Sequence, residues 1–305
     1  MAETPQFLWV EGKIVAWNNA TIHLTKLGIA GVSSVFEGIR AYTNPESQKL
    51  FIFRLDDHLE RFTQSIRLMR MKQLFSNAQL RDGLLEVLRV NKCAEDVYIR
   101  PFAFIEANMF GVAPDADARI VISTKPMPSR LQNGKVSQMC VSSWSRITDN
   151  VMPPRVKASS NYLNSRLASE EARRNGYDGA LILNPNGKVA EAQGACVMIV
   201  RDGKVITPSV TSGILESITR ATLIQLCREV LNIEVMEREM DRTELYIASE
   251  AFLCATGAEI TPIASIDRFT LGDGNIGPIT RQLVSLYHDL LRGIDLHYNE
   301  WRTQV

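Results

Sequence analysis

Apolar residues recur with two periods along this chain, and each switch between them marks a new element. The run FLWVEGKIVAW sets two short apolar stretches around Glu11-Gly12-Lys13, which predicts a hairpin. Residues 32–42 (VSSVFEGIRAY) and 51–54 (FIFR) again predict strands. From Leu55 the period lengthens: Leu55, Leu59, Phe62, Ile66 and Met69 fall on one helical stripe. A second helix is expected over Leu80–Val90, with Leu80, Leu84, Val87 and Leu88 facing inward. Strands return at 97–105 (VYIRPFAFI) and 118–124 (ARIVIST).

The stretch KPMPSRLQNGK (125–135) is rich in Pro, Gly and polar residues and breaks both periods. The chain is therefore divided into a smaller N-terminal α/β domain (1–125), a linker (126–136) and a larger C-terminal α/β domain (137–305). The second part begins with strand VSQMCVSSW, continues through a helix at roughly 160–175, and reaches strand GALIL and the turn NPNGK. In CVMIVRDGKVIT, Asp202-Gly203 supplies a hairpin turn. Leu223, Leu226, Cys227, Val230 and Leu231 form another helical stripe just after Ser217-Ile218-Thr219. Strands at 250–256 and 259–266 and a helix at 278–291 follow. The pattern gives an α/β fold of the α+β type, two mixed domains with active residues expected at their junction.

Composition narrows the function. Lys plus Arg and Asp plus Glu both number 34 in 305 residues, so no net charge draws nucleic acid or an anionic membrane. The five cysteines are scattered without a C-x-x-C pair, which fits reduced thiols in a cytoplasmic protein. No run approaches the roughly 20 apolar residues of a membrane span, and MAETPQFLWV lacks the pattern of a secretory leader. The four histidines show no ligand spacing, so no metal is expected. Walker, dinucleotide-binding and nucleophile-elbow motifs are missing from the sequence.

One lysine stands out by its setting. In VMPPRVKASSNYL (151–163), Pro153 and Pro154 impose an extended approach and Ser159 or Ser160 is placed to cap the following helix, so Lys157 lies just before a helix N-terminus. The positive end of the helix dipole, with partial burial, disfavours an ammonium ion there. A neutral amine can attack an aldehyde cofactor, yet a solvated surface lysine satisfies the local sequence equally well.

Eight segments read in order change that balance: SVFEGIRAY (34–42), RLDDHLERF (54–62), YIRP (98–101), the lysine motif with NYL, EARRNGYDGALILN (171–184), VAEAQG (189–194), SITRATL (217–223) and ATGAEITPI (255–263). Together they resemble the branched-chain amino acid aminotransferases, class IV pyridoxal phosphate (PLP) enzymes of fold type IV. The resemblance implies that Lys157 carries PLP covalently and that Glu191 pairs with the pyridine nitrogen. It implies that Arg61, Ser217, Ile218, Thr219 and Thr256 surround the phosphate, where first-turn amides favour an anion. Leu215 would pack on the ring and Tyr162 would bond the cofactor O3′. Phe36 and Tyr98 would form an apolar wall, Arg100 would receive the side-chain carboxylate of glutamate, and Gly257 and Ala258 would offer amides to the α-carboxylate. Without the resemblance, Arg61 and Arg100 read as solvated charges, Glu191 as a strand-end carboxylate, Ser217 as a plain N-cap and Tyr162 as a packed helix residue.

The implied reaction passes the amino group of L-leucine, L-isoleucine or L-valine to 2-oxoglutarate in a ping-pong cycle. The implied partners are small amino and 2-oxo acids and a second copy of the chain, at least a homodimer. Four features depart from the commoner family pattern. KLGIAGVS lacks the His or Tyr often found near Ala30 and Gly31, and KPMPSRLQNGK lacks aromatic residues, offering Met127 and Arg130. SSNY replaces GNY, and Cys196 stands where Asn is common. Rival readings within the class are D-amino-acid or (R)-amine transaminase and aminodeoxychorismate lyase. A non-catalytic PLP carrier is the rival from another class.

Overall fold

The computed structural model describes residues 4–26, 32–106 and 116–305. Ala30 and Gly31 lie outside the described residues. The chain divides into two compact units, one of residues 1–129, 156–160 and 289–305, the other of 130–155 and 161–288. This differs from a single cut at 126–136, because the five residues around Lys157 and the C-terminal segment belong with the first unit. Backbone pairing, described below, ties the lysine segment there.

The first unit begins with the hairpin β1 (Phe7–Val10) and β2 (Lys13–Ala16). Its turn residues Glu11 and Gly12 both have positive φ (50° and 84°), matching the right-handed strand twist. β3 (Ser34–Phe36), β4 (Ile39–Thr43) and β5 (Leu50–Phe53) lead into α1 (Leu55–Leu68). α2 (Asn77–Val90) starts three residues earlier than its apolar stripe, because Ser76 and Gln79 form a reciprocal capping box. β6 (Val97–Ile105) and β7 (Ala118–Pro126) follow, so Lys125 and Pro126 extend a strand and do not begin a linker. Among the described residues the sheet order is C-terminal strand (Arg302–Gln304), β5, β4, β6, β7, β1, β2, with β3 also on β6. Each of these pairings is antiparallel.

The single strand expected over 32–42 is split, and the reason lies on its neighbour. β3 and β4 share one register against β6, with Phe36 opposite Phe102 and Ile39 opposite Ile99. The gap at Glu37-Gly38 faces Pro101, which has no N–H to give the ladder. Glu37 N still donates to Pro101 O (2.9 Å), but the strand breaks and the Glu37 side chain turns inward.

In the second unit β8 (Ser137–Ser145), α3 (Asn161–Arg174) and β9 (Gly179–Leu183) match the expected elements. β10 (Val189–Ala192) follows the NPNGK turn; four residues give too little periodicity to stand out. β11 (Cys196–Arg201) and β12 (Lys204–Thr207) form the expected hairpin, with positive φ at Asp202 and Gly203 (50° and 73°). α4 (Ile218–Gln225) runs into a π turn at Leu226–Val230, which interrupts the predicted stripe after Cys227. β13 (Val235–Glu237), β14 (Glu250–Ala255), β15 (Glu259–Ile266), β16 (Phe269–Thr270) and α5 (Pro278–Arg292) follow, α5 passing into the first unit from Asp289. The sheet order is β10, β9, β8, β15, β14, β11, β12, β13, with β16 on β15. It is mixed: β8 runs parallel to β9 and β15, and β12 parallel to β13. Met139, Leu181, Val197, Ile206, Leu253 and Ile263 are among the side chains of its core.

All five cysteines are free, four of them buried, and burial pushes Cys227 up to about 12, so its thiol stays protonated and inert. Among the described residues no helix is long and apolar enough to cross a membrane.

Candidate active site

In the first unit Lys157 lies on a segment stapled along β3. Phe36 N donates to Lys157 O (3.0 Å), Ser159 N to Ser34 O (2.9 Å), and Val35 bridges Ala158. From α1, the Ser65 hydroxyl accepts the Lys157 N–H (3.3 Å). The lysine is half-buried, its amine 5.1 Å from the centre of the Phe36 ring. The serines do not cap α3 as expected: the Ser34 hydroxyl donates to Ser159 Oγ (2.8 Å), and Ser160 Oγ is buried without a hydrogen-bond partner. The rigidity comes from the pairing with β3.

The strand β6 alternates as its sequence requires, with Tyr98, Arg100 and Phe102 on one side and Val97, Ile99 and Pro101 buried on the other. Arg100 is exposed and stacks over Phe36 (4.5 Å) and Phe102 (5.9 Å). Tyr98 reaches across Gly38, where an added Cβ would come within 2.1 Å of its hydroxyl. The residue must therefore be glycine for Tyr98 to lie there.

Arg61 is not the solvated charge that its position off the apolar stripe suggests; only 11% of its side chain is exposed. Its Nε donates to Glu37 Oε1 (2.7 Å) and its Nη2 to Glu37 Oε2 (2.8 Å). His58 Nδ1 lies 2.8 Å from Glu37 Oε2. Burial by itself would raise the Glu37 carboxyl, but Arg61 and His58 outweigh it and hold the group well below the usual carboxylate range. Burial lowers the His58 pKa and Glu37 restores it only in part, so the ring is neutral with its proton on Nδ1.

In the second unit Glu191 sits on β10, buried, with Arg146 Nη2 2.6 Å from Oε1 and Leu215 N donating to Oε2 (3.0 Å). Arg146 is itself held by Gly213 O (3.2 Å) and Ser165 Oγ (3.4 Å). Cys196, on β11 directly opposite Cys254 of β14, donates its thiol to Leu215 O (3.7 Å). Leu215 is thereby fixed at both backbone groups. Two residues on, Ser217 caps α4, its hydroxyl accepting Arg220 N (3.2 Å). The amides of Ile218 and Thr219 precede Arg220 in the first turn, where helix geometry supplies no acceptor. Arg220 secures this helix end to the sheet through Thr207 Oγ1 (3.1 Å), Pro208 O (2.8 Å) and Glu237 (3.0 Å).

Thr256, Gly257 and Ala258 form the turn between β14 and β15, with Thr261 Oγ1 donating to Ala258 O (2.9 Å). Tyr162 is half-buried in the first turn of α3. Of the linker residues, Met127 N donates to Asp96 O (2.9 Å) and its carbonyl accepts from Arg40, while Arg130 N donates to buried Glu259 (2.7 Å).

The first unit thus gathers Phe36, Arg61, Tyr98, Arg100 and Lys157, and the second gathers Glu191, Leu215 and Ser217–Thr219, with Thr256–Ala258 on the strand turn and Tyr162 on α3. Glu37, His58, Ser65 and Arg146 are not marked by the sequence reading. His58, Arg61 and Ser65 recur at helical spacing beside the apolar stripe of α1, a signal that could have found them. Arg146, in SSWSRIT, carries no such mark.

Residues 34–266 match the family described as amino-transferase class IV. A probable branched-chain-amino-acid aminotransferase of Aquifex aeolicus is 40% identical over 300 residues, 98% of this chain and 96% of that protein. The crystal structure of branched-chain amino acid aminotransferase from Thermobaculum terrenum in its PLP form superposes with a TM-score of 0.96 at 50% identity, covering 99% of each chain. That of the branched-chain aminotransferase from the archaeon Thermoproteus uzoniensis with norvaline gives 0.92 at 36% identity, covering 98% of this chain and 99% of that one.

Proposed function

This chain belongs to the class IV aminotransferases, and from that premise we propose that it transfers the amino group of L-leucine, L-isoleucine or L-valine to 2-oxoglutarate, giving branched 2-oxo acids and L-glutamate with pyridoxal 5′-phosphate as cofactor. The donor set fits that cofactor: a half-buried amine at Lys157, a buried carboxylate at Glu191, and first-turn amides beside Thr219 for a phosphate. When bound, the cofactor supplies a ring that stabilises negative charge at the substrate Cα.

The observation that carries the reading is the fixing of Glu191 by Arg146 on one oxygen and Leu215 N on the other. A carboxylate beside a pyridine nitrogen favours its protonated form, and these two contacts hold the Glu191 carboxylate in one orientation. Lys157 would hold the cofactor covalently, and its freed Nζ would carry the proton from the donor Cα to the cofactor carbon and, in the second half-reaction, in the opposite sense to the accepting 2-oxo acid. Arg61, Ser217, Ile218, Thr219 and Thr256 would hold the phosphate, Leu215 would pack on the ring, and Tyr162 would donate to O3′. Phe36 and Tyr98 exclude water from a branched side chain. Arg100, lying across the Phe36 face, receives the distal carboxylate of glutamate, so one pocket accepts both side chains. Gly257 and Ala258 orient the α-carboxylate.

We place the enzyme in the cytoplasm as a homodimer or higher oligomer, a reading supported by its free cysteines and by exposed Trp144, Leu163 and Leu167 beside one another on the second unit. The deciding experiment offers L-leucine, D-alanine and an (R)-arylamine as donors with 2-oxoglutarate. L-leucine is expected to turn over best; turnover of D-alanine alone would overturn the assignment.

A further inference from the structure

We propose that Glu37, backed by His58, is a positioning residue that aims Arg61 at the cofactor phosphate; this rests on the assignment of Arg61 to that phosphate. Glu37 is fully enclosed and sits at the break between β3 and β4, so its backbone leaves the ladder where its side chain is needed. Its two oxygens take the Nε and Nη2 donors of Arg61 at 2.7 and 2.8 Å, which fixes the plane of the guanidinium and commits one edge of it. The end edge, carrying Nη1, is then set in direction.

His58 Nδ1 (2.8 Å) and Gly38 N (3.3 Å) hold the carboxylate from behind, so it cannot swing with the arginine. His58, Arg61 and Ser65 occupy successive turns of α1, and Ser65 receives the Lys157 amide. One helix face therefore places both the arginine and the backbone of the lysine. A long arginine loses considerable rotamer freedom on gripping an anion, and prior locking by Glu37 removes that cost from the binding step. A purely electrostatic role would act the other way, because a carboxylate beside Arg61 repels phosphate.

The test compares PLP with pyridoxal, which lacks the phosphate. Affinities of the full-length enzyme for both are measured after cofactor removal in wild type, Glu37→Gln, His58→Gln, Arg61→Ala and the Glu37→Gln/Arg61→Ala double variant, with the ligand-free melting temperature of each. Glu37→Gln is expected to weaken PLP about tenfold while pyridoxal changes less than about twofold. The double variant should bind PLP no more weakly than Arg61→Ala alone. Equal loss of both ligands, or unchanged or tighter PLP binding, overturns the proposal. If Arg61→Ala leaves the preference for PLP over pyridoxal intact, the phosphate assignment of Arg61 itself fails, and the proposal with it. Should Glu37→Gln not fold, His58→Gln provides the same readout, and an unaltered preference there counts against the proposal.

Discussion

Two buried carboxylate–arginine pairs, one in each unit, are built from the same chemistry and enclosed in different ways. Glu37 is completely enclosed, and side chains of one helix, Arg61 and His58, bind both its oxygens. Glu191 keeps 6% exposure, and its partners are one side chain, Arg146, and one backbone amide, Leu215 N. In the proposed reading the arginine of the first pair meets the cofactor with the carboxylate behind it, and in the second pair the carboxylate meets it with the arginine behind. Which member of such a pair is left able to meet a ligand depends on which of the two the fold encloses more completely.

The contrast can be broken most strongly by deleting the enclosed carboxylate. Glu37→Ala leaves Arg61 and His58 without their acceptor and is expected to cost about 3–5 kcal/mol of stability, read by denaturant unfolding of the cofactor-free protein. Next in size, Glu191→Gln is expected to slow transamination of L-leucine about 100-fold or more at saturating PLP, because the ring nitrogen loses its charged partner. Glu37→Gln under the same conditions should stay within about threefold of wild type, as its effect falls on cofactor affinity.

A smaller separation comes with pH. His58 has a folded-state pKa below its ordinary 6.5, so the unfolded chain takes up the proton first and stability falls as pH drops through that value. Glu37 is also depressed, so its contribution is present above the ordinary 4.5 and is lost only on stronger acidification. Thermal unfolding from pH 7 to 5 should show a slope of at most about 1.4 kcal/mol per pH unit from His58, and His58→Gln should flatten it. The smallest effect belongs to the second unit: Ser217→Ala removes the α4 cap and is expected to cost about 1 kcal/mol, with a parallel weakening of PLP relative to pyridoxal.

Each pair has one member legible in the sequence. Arg61 and Glu191 fall in segments that resemble the family and take their proposed roles from that resemblance, whereas nothing local marks their partners Glu37 and Arg146. Glu37 lies in plain view inside FEGIR, yet strand alternation gives no hint that the ladder breaks at its position. The hairpins at Glu11-Gly12 and Asp202-Gly203, the stripe of α1 and the alternation in β6 are all readable, because they depend on residues a few positions apart. The support of the lysine segment is not: the sequence points to serine caps, and β3 and Ser65 supply the hold instead.

The sequence by itself determined the local periods, the turns that need positive φ, and through its ordered motifs the family and its cofactor chemistry. The tertiary structure alone decided that residues 156–160 join the first unit, that Pro101 opposite Glu37 breaks a strand, and that Arg146 rather than solvent faces Glu191. The reason is physical: periodicity records which face of an element is apolar, while a buried charge is decided by whichever distant side chain arrives to compensate it.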